Sequence, residues 1–143
     1  IQKREDGLAD GTLLAYAGLA RSGLAHKVTA PLDPTRFIPS PSQGLLGIEL
    51  AEDRRELLKI FAEASDSHAA LRMKVERAYQ RALNASCQSP IGIHMEQNGK
   101  ELILHGCFAE TADEPLIYAT VTTTAERAMD DVLELVKKVK GHE

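Results

Sequence analysis

Ile91-Gly92-Ile93-His94-Met95-Glu96-Gln97-Asn98-Gly99 is the stretch that decides the fold. Apolar Ile91, Ile93 and Met95 alternate with polar residues, the period of a half-buried strand. Asn98-Gly99 then supplies a hairpin turn. Glu101 to Ala109 reads as the return strand, with Leu102, Leu104, Gly106 and Phe108 on one face. After a polar loop from Glu110 to Pro115, Leu116 to Thr124 is rich in β-branched Ile117, Val121 and threonines, which predicts a third strand. The reading is a three-stranded antiparallel sheet.

Helices are predicted on either side of it. From His68 to Leu83, apolar Leu71, Val75, Ala78 and Ala82 recur every three or four residues, with Arg72, Lys74, Arg77 and Arg81 on other faces. Ser65-Asp66-Ser67 before it offers capping oxygens. Ala125 to Lys140 carries a stripe of Ala128, Met129, Val132, Leu133, Leu135, Val136 and Val139, closed by lysines and Gly141. Sheet and helices make an α+β domain over about residues 63–143.

Upstream the pattern is less regular. Leu13-Leu14-Ala15-Tyr16-Ala17 reads as a short strand, followed from Gly18 by one or two helical turns. Pro31, Pro34, Pro39 and Pro41 exclude regular helix or central strand there, so this is a connection. Leu45 to Leu50 is predicted as one buried strand, and Ala51 to Ala64 as a helix. That helix has Glu52 and Asp53 in its first turn and Leu57, Leu58, Phe61 and Ala62 on its apolar face.

Composition sets the class. The 143 residues carry a formal net charge of −4, with 43% hydrophobic and 27% charged residues. This is the profile of a globular domain and gives no footprint for nucleic acid. No apolar run reaches the roughly 20 residues of a membrane helix. Ile1-Gln2-Lys3-Arg4-Glu5-Asp6 has neither a signal-peptide core nor an initiator Met, which fits a fragment. Without a secretory signal, Cys87 and Cys107 are expected as free thiols of a cytoplasmic protein. The five histidines show no metal-ligand spacing, although His94 and His105 are placed to face each other across the hairpin.

Cys87 lies in the loop Asn84-Ala85-Ser86-Cys87-Gln88-Ser89-Pro90, just past an Arg-rich helix. Nearby cations favour the thiolate, the nucleophilic form. The plainer alternative is a small packed thiol. Three motifs add to this: Gln43-Gly44-Leu45-Leu46-Gly47-Ile48-Glu49, Glu76-Arg77-Ala78 and Cys87-Gln88-Ser89-Pro90-Ile91-Gly92. In this order they resemble the porphobilinogen deaminases, also called hydroxymethylbilane synthases. The resemblance runs over nearly the whole chain and corresponds to the C-terminal half of a family member.

That resemblance implies an enzyme joining four porphobilinogen molecules into hydroxymethylbilane, with release of ammonia, for tetrapyrrole synthesis. It implies a dipyrromethane cofactor held by Cys87 through a thioether bond. Gln43, Gly44 and Arg77 are implied to lie against the cofactor, and Arg21 to bind substrate carboxylates, for which a planar guanidinium is suited. Arg72 and Arg81 are weaker candidates for the same role. Residues 1–38 would end a second α/β domain of the periplasmic-binding-protein type. Residues 39–62 would return to the first domain, and residues 63–143 would bear the cofactor. The catalytic aspartate of the family has no counterpart here, so the chain alone is expected to be inactive and to need an N-terminal lobe. Two departures stand out: Ser40-Pro41-Ser42 where the family has Ala-Val-Gly or Ala-Pro-Gly, and Asn84-Ala85-Ser86 where Glu-Gly-Gly is usual. A different class, a non-catalytic α+β interaction module, would leave Cys87 unmodified. A thiol redox protein is disfavoured because no resolving Cys neighbours Cys87.

Overall fold

The computed structural model describes residues 1–86 and 88–141. The chain divides into two compact units, Ile1–Asp33 and Pro34–Glu143. The first holds helices α1 (Gln2–Glu5) and α2 (Tyr16–Arg21) and a 3-10 turn at Ala25–Lys27. None of its residues is buried, and Lys27 Nζ pairs with Glu5 Oε1 at 3.0 Å. The strand predicted over 13–17 does not form. Residues 11–15 are irregular and Tyr16 already opens α2, since no strand among the described residues pairs with this stretch to satisfy an extended backbone.

The second unit holds α3 (Arg55–Glu63), α4 (Ser67–Ala82), β1 (Ile91–Asn98), β2 (Glu101–Phe108), β3 (Ile117–Thr124) and α5 (Ala128–Val139). The sheet is antiparallel in the order β1-β2-β3, as the alternation predicted. Asn98 pairs with Glu101, so the loop residues are Gly99 and Lys100. Gly99 alone takes positive φ, +64°, which puts the glycine at the first loop position rather than the second.

Both long helices pack on one sheet face. Val75, Tyr79 and Leu83 meet Ile93, Met95, Leu102, Leu104, Phe108 and Val121 from the strands, and Val132, Leu135 and Val139 from α5. Gly106 makes room in the middle: a Cβ there would stand 2.9 Å from Leu135 Cδ2 and 3.0 Å from the Tyr79 hydroxyl. That hydroxyl donates to the Cys107 carbonyl at 3.1 Å, so the buried phenol is satisfied. Buried Thr123 donates from Oγ1 to Asp131 Oδ2 at 2.6 Å, tying β3 to α5. The Thr123 hydroxyl and then the Arg127 guanidinium hold the Asp131 carboxyl below its ordinary range.

Several predicted faces are corrected. Met129 and Leu133 are exposed, and α5 buries only the narrower stripe of Ala128, Val132, Leu135, Val136 and Val139. On α4, Ala82 is exposed, while Tyr79 and Leu83 take the buried positions. Asp66 caps α4 by accepting from the Ala69 amide at 2.9 Å, and Ser65 Oγ donates to Phe61 O at the end of α3. The 45–50 strand is absent, and Leu46 is 92% exposed. Helix α3 starts only at Arg55, so Glu52 and Asp53 precede it. It packs against no other helix or strand among the described residues, which leaves Leu58 and Ile60 exposed. No described helix is long and apolar enough to cross a membrane.

Two outcomes follow from the core. Leu135→Ala is expected to destabilise the fold by roughly 2–5 kcal/mol, since a fully buried leucine leaves a cavity. Leu133→Ala should change stability by less than about 0.5 kcal/mol, and urea denaturation of the two variants checks the contrast. Desolvation, followed by the nearby Cys107, pushes the Tyr79 phenol far above its ordinary value. A raised folded-state value gives stability that is complete below the unfolded pKa of about 10 and is lost as pH rises beyond it. The urea midpoint should therefore fall between about pH 9 and about pH 11, and Tyr79→Phe should flatten that fall.

Candidate functional site

The α4 helix sets two consecutive residues to different work. Glu76 points inward and its side chain is 0% exposed. Its carboxylate accepts from Arg72 Nε at 2.6 Å, one turn earlier, and from the backbone amide of Ser42. Arg72 also donates from its second terminal nitrogen to the Gln43 carbonyl at 2.7 Å. A buried carboxylate needs such partners, because removing a charge from water uncompensated costs several kcal/mol, by order of magnitude. Arg77, about 100° further round the helix, is exposed. Its one hydrogen bond is a long contact, 3.4 Å, to Gln80 Oε1, and it has no ion-pair partner among the described residues.

The turn gripped by Glu76 spans Ser40–Gly44. Ser42 and Gly44 take φ of +66° and +76°. At Ser42 this is a region L-residues avoid, so the turn holds a serine in a glycine-like conformation. Ser42 Oγ is buried without a hydrogen-bond partner among the described residues, so the serine contributes through its amide. Just upstream, Pro39 O accepts from the Ile93 amide at 2.9 Å, laying the chain along the edge of β1.

The two motif glycines meet different needs. Gly92 has no positive φ; instead a Cβ there would lie 2.7 Å from Ile38 O and 2.9 Å from Cys107 Sγ. Gly44 has open space around it and is needed for its positive φ. Cys107 is buried, and burial pushes its thiol up, which makes it a poor nucleophile.

Together these segments enclose a cleft of about 270 Å³, lined by Ser40, Pro41, Gln43, Arg77, Gln80, Ser86, Ser89 and Ile91. Among the described residues, Arg77 is the only charged one in the lining. Ser89 Oγ accepts from the Ser86 amide at 2.9 Å, and Gln80 Nε2 reaches Ala85 O at 3.4 Å, which holds the loop to α4. A guanidinium with no ion-pair partner among the described residues, set among hydroxyls and amides, suits a ligand bearing carboxylates and N–H groups. Of the residues predicted from the sequence, Gln43 and Arg77 share this cleft. Gly44 adjoins it in the turn, and Arg21 belongs to the first unit, exposed at the end of α2. Cys87 lies outside the described residues. Arg72, considered as a carboxylate binder, is engaged by Glu76 and the Gln43 carbonyl, and Arg81 is exposed. Sequence reasoning missed Gln80, Ser86 and Ser89 as lining and Glu76 as a buried anchor. The Arg72–Glu76 spacing of one helical turn was the available signal. His94 and His105 do face each other, with ring centroids 6.3 Å apart, and His105 also meets Glu96 at 3.2 Å. No cluster of metal-ligating residues is found among the described residues.

The family model "Porphobilinogen deaminase, C-terminal domain" matches residues 70–141. The chain belongs to the porphobilinogen deaminase family. A second model, "Porphobilinogen deaminase, dipyromethane cofactor binding domain", matches residues 1–59. The cofactor is thus named for the earlier stretch, which contains Gln43 and Gly44, while Arg77 and Cys87 fall in the later one. The cleft draws its lining from both. Similar proteins include a porphobilinogen deaminase of Laribacter hongkongensis, 34% identical over 96% of this chain and 49% of that protein. Those of Methylobacillus flagellatus and Paracoccus denitrificans are 35% and 39% identical, over 89% and 74% of this chain and 41% and 34% of theirs. The chain therefore spans between about a third and a half of the length of these relatives.

Gly92→Ala is expected to drive the Ile38 carbonyl away and break the bond from the Ile93 amide to Pro39. Hydrogen exchange at Ile93 should speed up at least about tenfold, the loss of about 1.4 kcal/mol of local protection. Unchanged protection there would contradict the close approach.

Proposed function

We propose that this chain is the cofactor-bearing part of a hydroxymethylbilane synthase, which joins four porphobilinogen units with release of ammonia. The observation that carries the reading is the Arg77 guanidinium, which has no ion-pair partner among the described residues and is set in a cleft with Gln43 and with Ser86 and Ser89, the near sequence neighbours of Cys87. In this reading Cys87 holds a dipyrromethane through a thioether bond. When bound, that group supplies the pyrrole end from which the product chain is extended. Arg77 binds a ring carboxylate through paired N–H donors. The Gln43 and Gln80 amides and the Ser86 and Ser89 hydroxyls offer donors and acceptors for the remaining polar groups. At about 270 Å³ the cleft is below the usual range of roughly 300–1,000 Å³ for enclosing a small molecule, so it grips part of the cofactor rather than surrounding it.

The same reading takes residues 1–38 as the end of an α/β domain resembling periplasmic binding proteins, with Arg21 binding substrate carboxylates. Residues 39–62 are the return to a first domain, and residues 63–143 the domain carrying the modified cysteine. Its partners are porphobilinogen, the growing oligopyrrole and an N-terminal lobe that brings the acid/base aspartate, all in the cytoplasm. Turnover then belongs to the assembled enzyme and not to this chain alone.

The intact mass of the chain, co-produced with the N-terminal half of a relative, tests this. The expected result is an added mass equal to two linked pyrrole units, absent from Cys87→Ala. An unmodified wild-type chain would sink the enzyme reading in favour of a non-catalytic interaction module.

A further inference from the structure

We propose that Glu76 and Arg72, neither of which lines the cleft, are positioning residues for the cofactor site. They hold the Ser40–Gly44 turn in the conformation that sets Gln43 beside Arg77. This role rests on the cofactor reading given above.

Left to itself the turn has little to keep it. Its internal backbone bonds are long, 3.3 Å from Gln43 N to Ser40 O and 3.3 Å from Leu45 N to Ser42 O. Ser42 sits in left-handed backbone that a non-glycine residue disfavours. Against this stand the bonds from α4: the Ser42 amide to Glu76 Oε2 and the Arg72 guanidinium to the Gln43 carbonyl. The Arg72–Glu76 pair joins the two into one unit. Both bonds go to main-chain atoms of residues 42 and 43, so they fix the turn's backbone and leave the Gln43 side chain free to face the cleft. The consecutive residues Glu76 and Arg77 thus divide the task. The acid faces inward and grips the turn, and the base faces outward and meets the ligand.

The test compares Glu76→Gln with the wild-type chain, each co-produced with the N-terminal half of a relative. Two quantities are read: amide exchange at Ser42 and within β1 and β2, and the fraction of chains carrying the added cofactor mass. Glutamine keeps the shape but loses the charge that holds Arg72. Exchange at Ser42 should rise at least about tenfold with the sheet amides unchanged, and the modified fraction should fall several-fold. Val75→Ala, a neighbouring buried change that spares the turn, serves as the control for a merely structural effect. It should lower the unfolding midpoint without lowering the modified fraction. If Glu76→Gln fails to fold, Arg72→Lys keeps the charge but loses the two-armed reach, and the same two shifts are expected of it. Unchanged Ser42 exchange, or faster exchange with full modification, overturns the positioning role. A wild-type chain without added mass overturns the cofactor reading as well, which separates the two failures.

Discussion

The second unit depends on one absent atom group, the side chain that Gly92 lacks. With no Cβ at this position, Ile38 O can settle where a methyl would stand 2.7 Å away. The obstacle would be backbone, which cannot turn aside as a side chain can. Because Ile38 fits there, Pro39 accepts from Ile93 and the chain is laid along the edge of β1. That contact also blunts an edge that would otherwise offer free donors. Only then does the following turn arrive over α4, where its Ser42 amide meets Glu76. A glycine in the motif after the cysteine loop thus decides whether a carboxylate 16 positions earlier can be buried.

Burial across the chain is correspondingly uneven. α4, α5 and the sheet form one core on one face, and Gly106 is the gap that lets Tyr79 and Leu135 interlock above β2. Outside that core, apolar residues occur without cover. Leu46, Ile48, Leu58 and Ile60 are all more than half exposed. In an isolated chain such surfaces favour association.

The difference between these regions explains what the sequence could tell. The hairpin and third strand were legible because alternation, Asn-Gly and β-branched residues agree with one another. The two long helices were legible from their period. The predicted strands at 13–17 and 45–50 failed for a common reason. An apolar run shows that burial would be favourable, but not that a partner exists, and a strand needs one for its backbone bonds. Met129 and Leu133 were misassigned because a seven-residue stripe is wider than the face α5 shows to β3 and α4. Tyr79 was passed over at its own i+4 spacing from Val75, although its hydroxyl has a carbonyl to meet. At the site, the motifs picked out Gln43 and Arg77, and both line one cleft. They gave no hint that Gly44 and Gly92 act by opposite means, since sequence does not separate a torsional need from a steric one.

Charge placement gives the cleft its character. Three arginines, Arg72, Arg77 and Arg81, and Lys74 lie on or next to the exposed side of α4's sequence pattern, and counting them suggests a strongly basic surface. The fold removes one from the count: Arg72 is only 20% exposed and its charge is spent against Glu76. What remains in the lining is a single guanidinium, Arg77, surrounded by neutral hydrogen-bonding groups. Such a site discriminates by geometry more than by field, because neutral donors and acceptors reward only a ligand whose polar atoms meet them. A cleft lined by several free cations would hold any polyanion. On the proposed reading, one cation beside a turn held by a buried carboxylate selects for a carboxylate at one place and for polar groups at set positions around it.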